Sequence, residues 1–424
     1  MIFKRKLYNK LLAWKHQAAG TKALLIEGAR RIGKSTLVEE FAKNEYRSYL
    51  LIDFNKVSDS VVSAFNNYMN DLDTFFLILS SEYGVKLYSK ESVIIFDEIQ
   101  QFPKARQAIK YLVADGRFDY IETGSLISIK ENVKDITIPS EERALTMYPM
   151  DFEEFAWAMD EEPLMTYIRQ CFDKRVPLEQ GLHAKAMLLF RQYMIVGGMP
   201  KSLSAYMENN RSFEMADMEK RDILTLYRND IMKINSGYRS SVLSIFDQIP
   251  AFLSRSERRV VMNRIEKGAS FPKYHDTFFW LSDSMIANEC FNCSDPNVGL
   301  SLNEDRTYVK CYMGDTGLLI SHTFDENEIS DGELYREILL GKLSVNEGMF
   351  YENVIAQMLV AAGHKLYFYT RYNEEKHRND VEIDFILSNQ SKLKYKIFPI
   401  EVKSNDKYTI RSLTRFNESF HQRI

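Results

Sequence analysis

The chain has 424 residues, 45% hydrophobic and 27% charged, a balance that excludes a disordered or low-complexity protein and leaves room for two or three domains. With 55 Lys and Arg against 59 Asp and Glu, the formal net charge of −4 announces no polyanionic partner, although it leaves a local basic face open. The 4 cysteines are too few for a disulfide scaffold, and no apolar run of about eighteen residues is present for a membrane helix.

The N-terminus, MIFKRKLYNKLLAW, is basic but soon amphipathic, so a leading helix through Leu7, Leu11, Leu12 and Trp14 is expected rather than a signal peptide. A reducing cytoplasm is the expected compartment. Ala23 to Glu27 then predicts a short buried strand. Gly28, Ala29, Arg30, Arg31, Ile32, Gly33, Lys34 and Ser35 spell GARRIGKS, which fits G-x-x-x-x-G-K-[ST]. Thr36 follows, and Leu37, Val38 and Phe41 have the spacing of one helical face. The strand, loop and helix together make a phosphate cradle. The glycines admit close approach of backbone N–H groups to an anion, and the helix start adds its positive dipole end. Lys34 is placed to reach the β- and γ-phosphates of ATP, and Ser35 to bind Mg²⁺.

Tyr49 to Phe54 predicts a second buried strand. Ser92 to Gln100, SVIIFDEIQ, is a further apolar strand that ends in two acids. Those acids supply the second half of an ATPase site: Asp97 to hold Mg²⁺ and Glu98 to polarise the attacking water. The bland alternative is a buried strand whose acids merely open a helix. A helix from Pro103 to Ala114 is expected, then a strand from Asp119 to Ser125. Ser125, with Thr123 beside it, is a candidate to contact the γ-phosphate or the water, against a plain turn. Arg143 is a candidate to sense the γ-phosphate or to complete a neighbour's site, against a solvated arginine.

The order GARRIGKS, IIFDEIQ, TGS and YPMDFEEF resembles the AAA-superfamily P-loop ATPases of bacteria and archaea. More narrowly, it resembles the group whose C-terminal part is a domain of unknown function of the DUF4143 type. The resemblance extends over most of the chain. It implies an α/β ATPase domain with a five-stranded parallel sheet between helices, over residues 1–155. It also implies a helical lid over 156–210, broken at Gly197–Gly198 before Pro200, and a winged-helix-like module over 211–330.

The element order permits that module. Helices are expected over Ser241 to Leu253 and Phe278 to Ala287. Strands over Asn288 to Ser294 and Thr307 to Tyr312 would form the wing. Arg255, Arg258, Arg259, Arg264 and Lys267 cluster between them, either as a DNA-binding face or as a solvated one. Cys290 and Cys293 form one C-x-x-C with Cys311 nearby, but no clear fourth ligand stands close, so free thiols are expected over zinc.

Residues 331–424 carry a second constellation. Met349 to Val360 predicts an amphipathic helix bearing Glu352. Leu366 to Arg371, Asp380 to Leu387 and Phe398 to Ser404 predict strands, with Glu382 and Asp384 on one face and Glu401 and Lys403 on another. An acid on one strand and E-x-K on the next is the pattern of PD-(D/E)xK nucleases. Asp384 and Glu401 would hold Mg²⁺, Lys403 would orient a water, and Glu352 would complete the cluster. Gly348, Glu352, Arg371, Glu382, Asp384, Glu401 and Lys403 match positions typical of the resembled C-terminal domain. That group usually continues with another strand, whereas one helix, Thr409 to His421, precedes the last residue, Ile424.

The expected function is Mg²⁺-dependent ATP hydrolysis coupled to conformational change, with DNA as one candidate partner. The alternatives are an ATP-gated metal-dependent nuclease, or a nucleotide switch whose degenerate nuclease domain binds a protein. A P-loop kinase fits less well, because paired acids on an apolar strand suit water activation. No membrane contact is expected, and oligomerisation stays open.

Overall fold

The computed structural model describes residues 1–125, 140–234, 237–255, 258–260, 271–297, 299–325, 332–342, 347–375, 377–389, 396–404 and 408–424. They form two compact units, Met1–Met150 and Asp151–Ile424.

The first unit runs α1 (Leu7–Gln17), β1 (Ala23–Gly28), α2 (Lys34–Glu45), β2 (Ser48–Asp53), α3 (Asp59–Asn67), α4 (Leu72–Tyr83), β3 (Ser92–Asp97), α5 (Pro103–Asp115), β4 (Asp119–Ser125) and β5 (Glu142–Met147). The strands form one sheet in the order β2-β3-β4-β1-β5, and every pairing is parallel. β1 and β3 are almost wholly apolar because helices cover both sides of a parallel sheet. Alternate residues sort to the two faces. Leu25, Leu50, Ile52, Ile94, Phe96 and Tyr120 join α3, α4 and α5 in one core. That core is dense in rings, with Phe54, Phe65, Phe75, Phe96 and Phe102 in mutual contact. On the other side, α1 and α2 meet through Tyr8 against Phe41, in an edge-to-face contact.

The strand order matters for the chemistry. β4 lies between β1, which feeds the phosphate loop, and β3, which ends in Asp97. All strands point the same way, so their C-terminal ends deliver the loop, Asp97 and Thr123 to one edge.

The second unit runs α6 (Phe152–Ala158), α7 (Glu162–Lys174), α8 (Gln180–Val196), α9 (Pro200–Glu208), α10 (Phe213–Met232), α11 (Arg239–Leu253), α12 (Phe271–Asp283), β6 (Ala287–Cys293), β7 (Glu304–Met313), α13 (Thr316–Thr323), α14 (Glu333–Leu340), α15 (Glu347–Ala361), β8 (Leu366–Asn373), β9 (Arg378–Ile383), β10 (Phe385–Asn389), β11 (Lys396–Ile400) and α16 (Arg411–Phe420). Asp151 caps α6 in a reciprocal capping box with Glu154. The break at Gly197 has a steric cause. A Cβ there would lie 2.4 Å from Asp315 Oδ1 and 3.0 Å from the Gly317 Cα. Two glycines therefore let the end of α8 and the start of α13 cross backbone to backbone. Asp315 then accepts from the Gly198 N–H at 2.6 Å, and Lys220, fully buried, donates to the Ile195 carbonyl at 2.6 Å.

One expectation needs correcting. The two strands expected as a wing do not form a separate module. β6 and β7 pair antiparallel, but β6 also pairs in parallel with β8, giving a four-stranded sheet β7-β6-β8-β9. A two-stranded hairpin is marginal alone, and here its inner edge is satisfied by a strand from beyond residue 330. A boundary at 330/331 would cut through this sheet. β10 and β11 form a second, two-stranded ladder. α16 packs Phe416 and Phe420 on Tyr369 of β8. No helix among the described residues is long and apolar enough to cross a membrane.

Candidate functional site

The phosphate loop leaves β1 at Gly28. A Cβ at this position would meet the Met147 carbonyl oxygen at 2.4 Å and Ile32 Cδ1 at 2.6 Å, so only glycine lets the loop turn against β5. Ile32 is fully buried under the loop, whereas Arg31 is exposed and takes a left-handed backbone with φ of 67°. Gly33 also adopts the left-handed conformation, φ 89°, and stands at the N-cap of α2. It has no side chain to cap the helix, so the first-turn N–H groups face outward, as an anion cradle requires. Thr36 lies exposed in that first turn.

Lys34 is 6% exposed and donates to the Gly28 and Ala29 carbonyls at 3.1 and 2.8 Å. Burial pushes its ammonium down to about 8, while Glu98 and Asp97 pull it back up. Ser35 Oγ donates to Asp97 Oδ1 at 2.7 Å. Thr123 Oγ1 donates to the same oxygen. One carboxylate thus joins the start of α2, the end of β3 and the end of β4. Glu98 follows in a left-handed conformation, φ 55°, and accepts from Gln100 Nε2. For a non-glycine residue that conformation costs about 1 kcal/mol, and it turns Glu98 out of the line of β3.

The sheet brings Lys34, Ser35, Asp97, Glu98 and Thr123 to one edge. Ser125 sits beside Gly28 in the β1–β4 register and is buried, so it borders the loop, while Thr123 makes the contact to Asp97. Arg143 is not brought there. It is exposed on β5 opposite Leu24, four residues upstream of the Gly28–Met147 pair, about 13 Å along the strand at ~3.3 Å per residue. Arg5 was not anticipated. It is 7% exposed and donates to the Ile32 carbonyl at 3.0 Å and the Tyr148 carbonyl at 2.6 Å, clasping the loop from the N-terminal segment. The signal available was an arginine just ahead of an amphipathic helix, which any solvated residue would also give.

The second constellation takes a different form. Glu352 on α15 is fully buried and accepts from Lys310 Nζ at 3.1 Å and from Tyr312, and it pairs with Arg258. Lys310 Nζ also lies 3.7 Å from both Glu382 and Asp384. Asp384 sits at the bend between β9 and β10 and accepts from the Val402 N–H at 2.8 Å. Glu401 and Lys403 lie beyond the end of β11 and pair with each other, rather than standing on one strand face as expected. Arg371 pairs with Asp380 at 3.0 Å. Among the described residues, no group of three or more His, Cys, Asp or Glu is placed to hold a metal. The expected metal set of Asp384, Glu401 and Glu352 does not fit, because Lys310 faces Glu352 and Asp384, Arg258 pairs with Glu352, and Lys403 pairs with Glu401.

The basic cluster is also partly committed. Arg258 faces Glu352, Arg259 stacks over Tyr308, and Arg255 lies over Phe252. Arg264 and Lys267 lie outside the described residues. Cys171, Cys290, Cys293 and Cys311 are all buried free thiols.

A glycine-bounded loop opening a helix, with a carboxylate held against the loop's serine from a parallel strand two places away, defines a P-loop nucleotide-binding domain. Residues 20–156 match the family model of an AAA domain, which supports an AAA-type ATPase domain in this part of the chain. Residues 187–328 match a domain of unknown function (DUF8612), and residues 347–423 match another (DUF4143). No curated protein matches the chain. Among solved structures, the chain is similar to Hsp104 in its closed state with ATPγS and FITC casein, at 14% identity over 67% of this chain and 50% of that one, TM-score 0.31. It thus spans half the length of that relative. It is also similar to the Thermotoga maritima RuvB Holliday junction branch migration motor, at 15% identity over 67% of this chain and 89% of that one, TM-score 0.29. A third is Cdc6p from Pyrobaculum aerophilum, at 10% identity over 80% and 93%, TM-score 0.27.

Proposed function

We propose that the protein hydrolyses ATP with Mg²⁺ and uses the cycle to change conformation. The observation that carries the reading is the hydrogen bond of Ser35 to Asp97, 2.7 Å between loop and strand. Two hard oxygen donors meet beside a phosphate cradle, which is the donor chemistry Mg²⁺ selects. When bound, Mg²⁺ would neutralise charge developing on the β- and γ-phosphates. Ser35 and Asp97 would hold it. Gly28, Ala29, Arg30, Arg31, Ile32, Gly33 and Thr36 would wrap the phosphates with backbone and side-chain donors. Lys34 would leave the Gly28 and Ala29 carbonyls for the phosphate oxygens. Glu98 would take a proton from the attacking water, with Thr123 steadying Asp97 and Ser125 bordering the loop. Arg143, on the exposed edge strand, suits contact with a second copy better than with its own nucleotide. Four buried thiols suit a reducing cytoplasm.

The test is phosphate release by the purified chain with Mg²⁺ and with EDTA, repeated with linear, branched and single-stranded DNA. Release that needs Mg²⁺ supports the assignment, and its absence overturns it. Stimulation by one DNA form points to DNA as the partner. Equal rates with all forms favour the second reading, a nucleotide switch whose C-terminal domain binds a protein. The occupation of the acidic cluster by Lys310 favours that reading over a metal-dependent nuclease.

The Lys34 ammonium gives a pH dependence. Its value near 8 lies below that of an ordinary lysine, so the nucleotide-free loop loses its positive charge as pH rises through 8. Binding triphosphate must then recover a proton. The dissociation constant for ATP is expected to rise about tenfold between about pH 8.5 and 9.5. A titration with a fluorescent ATP analogue reads this, and a flat profile across that interval contradicts it. For stability the sign is opposite. The unfolded chain binds this proton more tightly, so the term favours folding more as pH rises from about 8 towards 10.5.

A further inference from the structure

Lys310 lies in the middle of β7, in the run TYVKCYM, where a charge among apolar neighbours is costly unless it is matched. It is fully buried. Its ammonium stands 3.1 Å from Glu352 and 3.7 Å from both Glu382 and Asp384, and its approach from one further side is over the Phe368 ring at 5.1 Å. The three carboxylates come from α15, from β9 and from the bend directly after β9, while Lys310 comes from β7, 42 residues before Glu352. Arg258 adds a second cation to Glu352, and the absence of a side chain at Gly348 gives it room, since a Cβ there would meet Arg258 Nη2 at 2.7 Å. Three acids that converge on one point ordinarily do so around a divalent ion, because carboxylates repel unless a cation lies between them. Here the cation is part of the chain.

We infer that Lys310 fills the place of a divalent cation in this cluster, so that the C-terminal sheet is assembled around an internal ammonium and needs no metal. An ammonium brings one charge where a metal brings two, and Arg258 supplies the other. Being covalently attached, this cation cannot leave, exchange or activate a water.

The experiment uses the full, nucleotide-free chain, melted with and without millimolar MnCl₂. The native protein should show no shift that depends on Asp384, so Asp384→Asn should leave its response to Mn²⁺ unchanged. Lys310→Met should melt on the order of 10 °C lower without metal, because it leaves buried carboxylates uncompensated. Mn²⁺ should then restore at least about 5 °C, as an ion at about a hundred times its dissociation constant would. A native shift with Mn²⁺ that Asp384→Asn removes would overturn the inference. So would a Lys310→Met protein as stable as the native one, or one that Mn²⁺ does not restore. Should Lys310→Met not fold, the Asp384→Asn comparison decides alone.

Discussion

Replacing Glu98 with Gln is expected to lower the turnover of ATP by about 10²- to 10⁴-fold while leaving the affinity for nucleotide within about threefold of native. The amide keeps the shape and the contact with Gln100 but cannot accept a proton from water. Binding should persist because Lys34, Ser35 and the loop carry it, and Glu98 makes no hydrogen bond to any of them among the described contacts. Single-turnover hydrolysis beside equilibrium binding separates the two effects. A Glu98→Gln protein that turns over at the native rate would falsify the role given to this carboxylate.

Replacing Lys34 with Ala is expected to weaken ATP binding by at least about 10²-fold, the scale on which truncating one member of a buried charged pair is felt. The same change should not destabilise the free protein. The ammonium is held in a buried place that disfavours its charge, as its lowered pKa records, and among the described residues it donates to two loop carbonyls. Loss of ATP binding with an unchanged or raised melting temperature is therefore the expected pair of results. A large fall in melting temperature would mean that Lys34 holds the loop together rather than waiting for phosphate.

The phosphate loop was legible because its signal is local. Eight consecutive residues carry the glycines, lysine and serine, and the strand and helix beside them are set by neighbours a few positions away. The structure adds the steric cause, the Met147 carbonyl against which only Gly28 fits. Asp97 and Glu98 were legible for the same reason, as acids ending an apolar strand. What the residues could not reveal were meetings across distance. Arg5 reaches Ile32 and Tyr148, and nothing near Arg5 marks it. Arg143 carries no local sign of its distance from the loop, which the strand register sets at four residues. The acidic pattern of the C-terminal part was legible, but its meaning turned on Lys310, 42 residues before Glu352. A lysine flanked by Val309 and Cys311 was the signal, since an unmatched charge does not survive inside an apolar strand. Glu401 and Lys403 share no strand face because β11 stops at Ile400, and alternation says nothing once the strand has ended.

The parallel pairing of β6 with β8 sets a limit on how this protein can be taken apart. The two stretches matched as separate domains of unknown function, 187–328 and 347–423, share one sheet. Expressed singly, each half would display a naked strand border, inviting fibrils or capture by whatever unpaired ribbon lies nearby. Genes descended from this one should therefore inherit both halves or neither, and a shuffled version carrying only the last would have to evolve a substitute for β6.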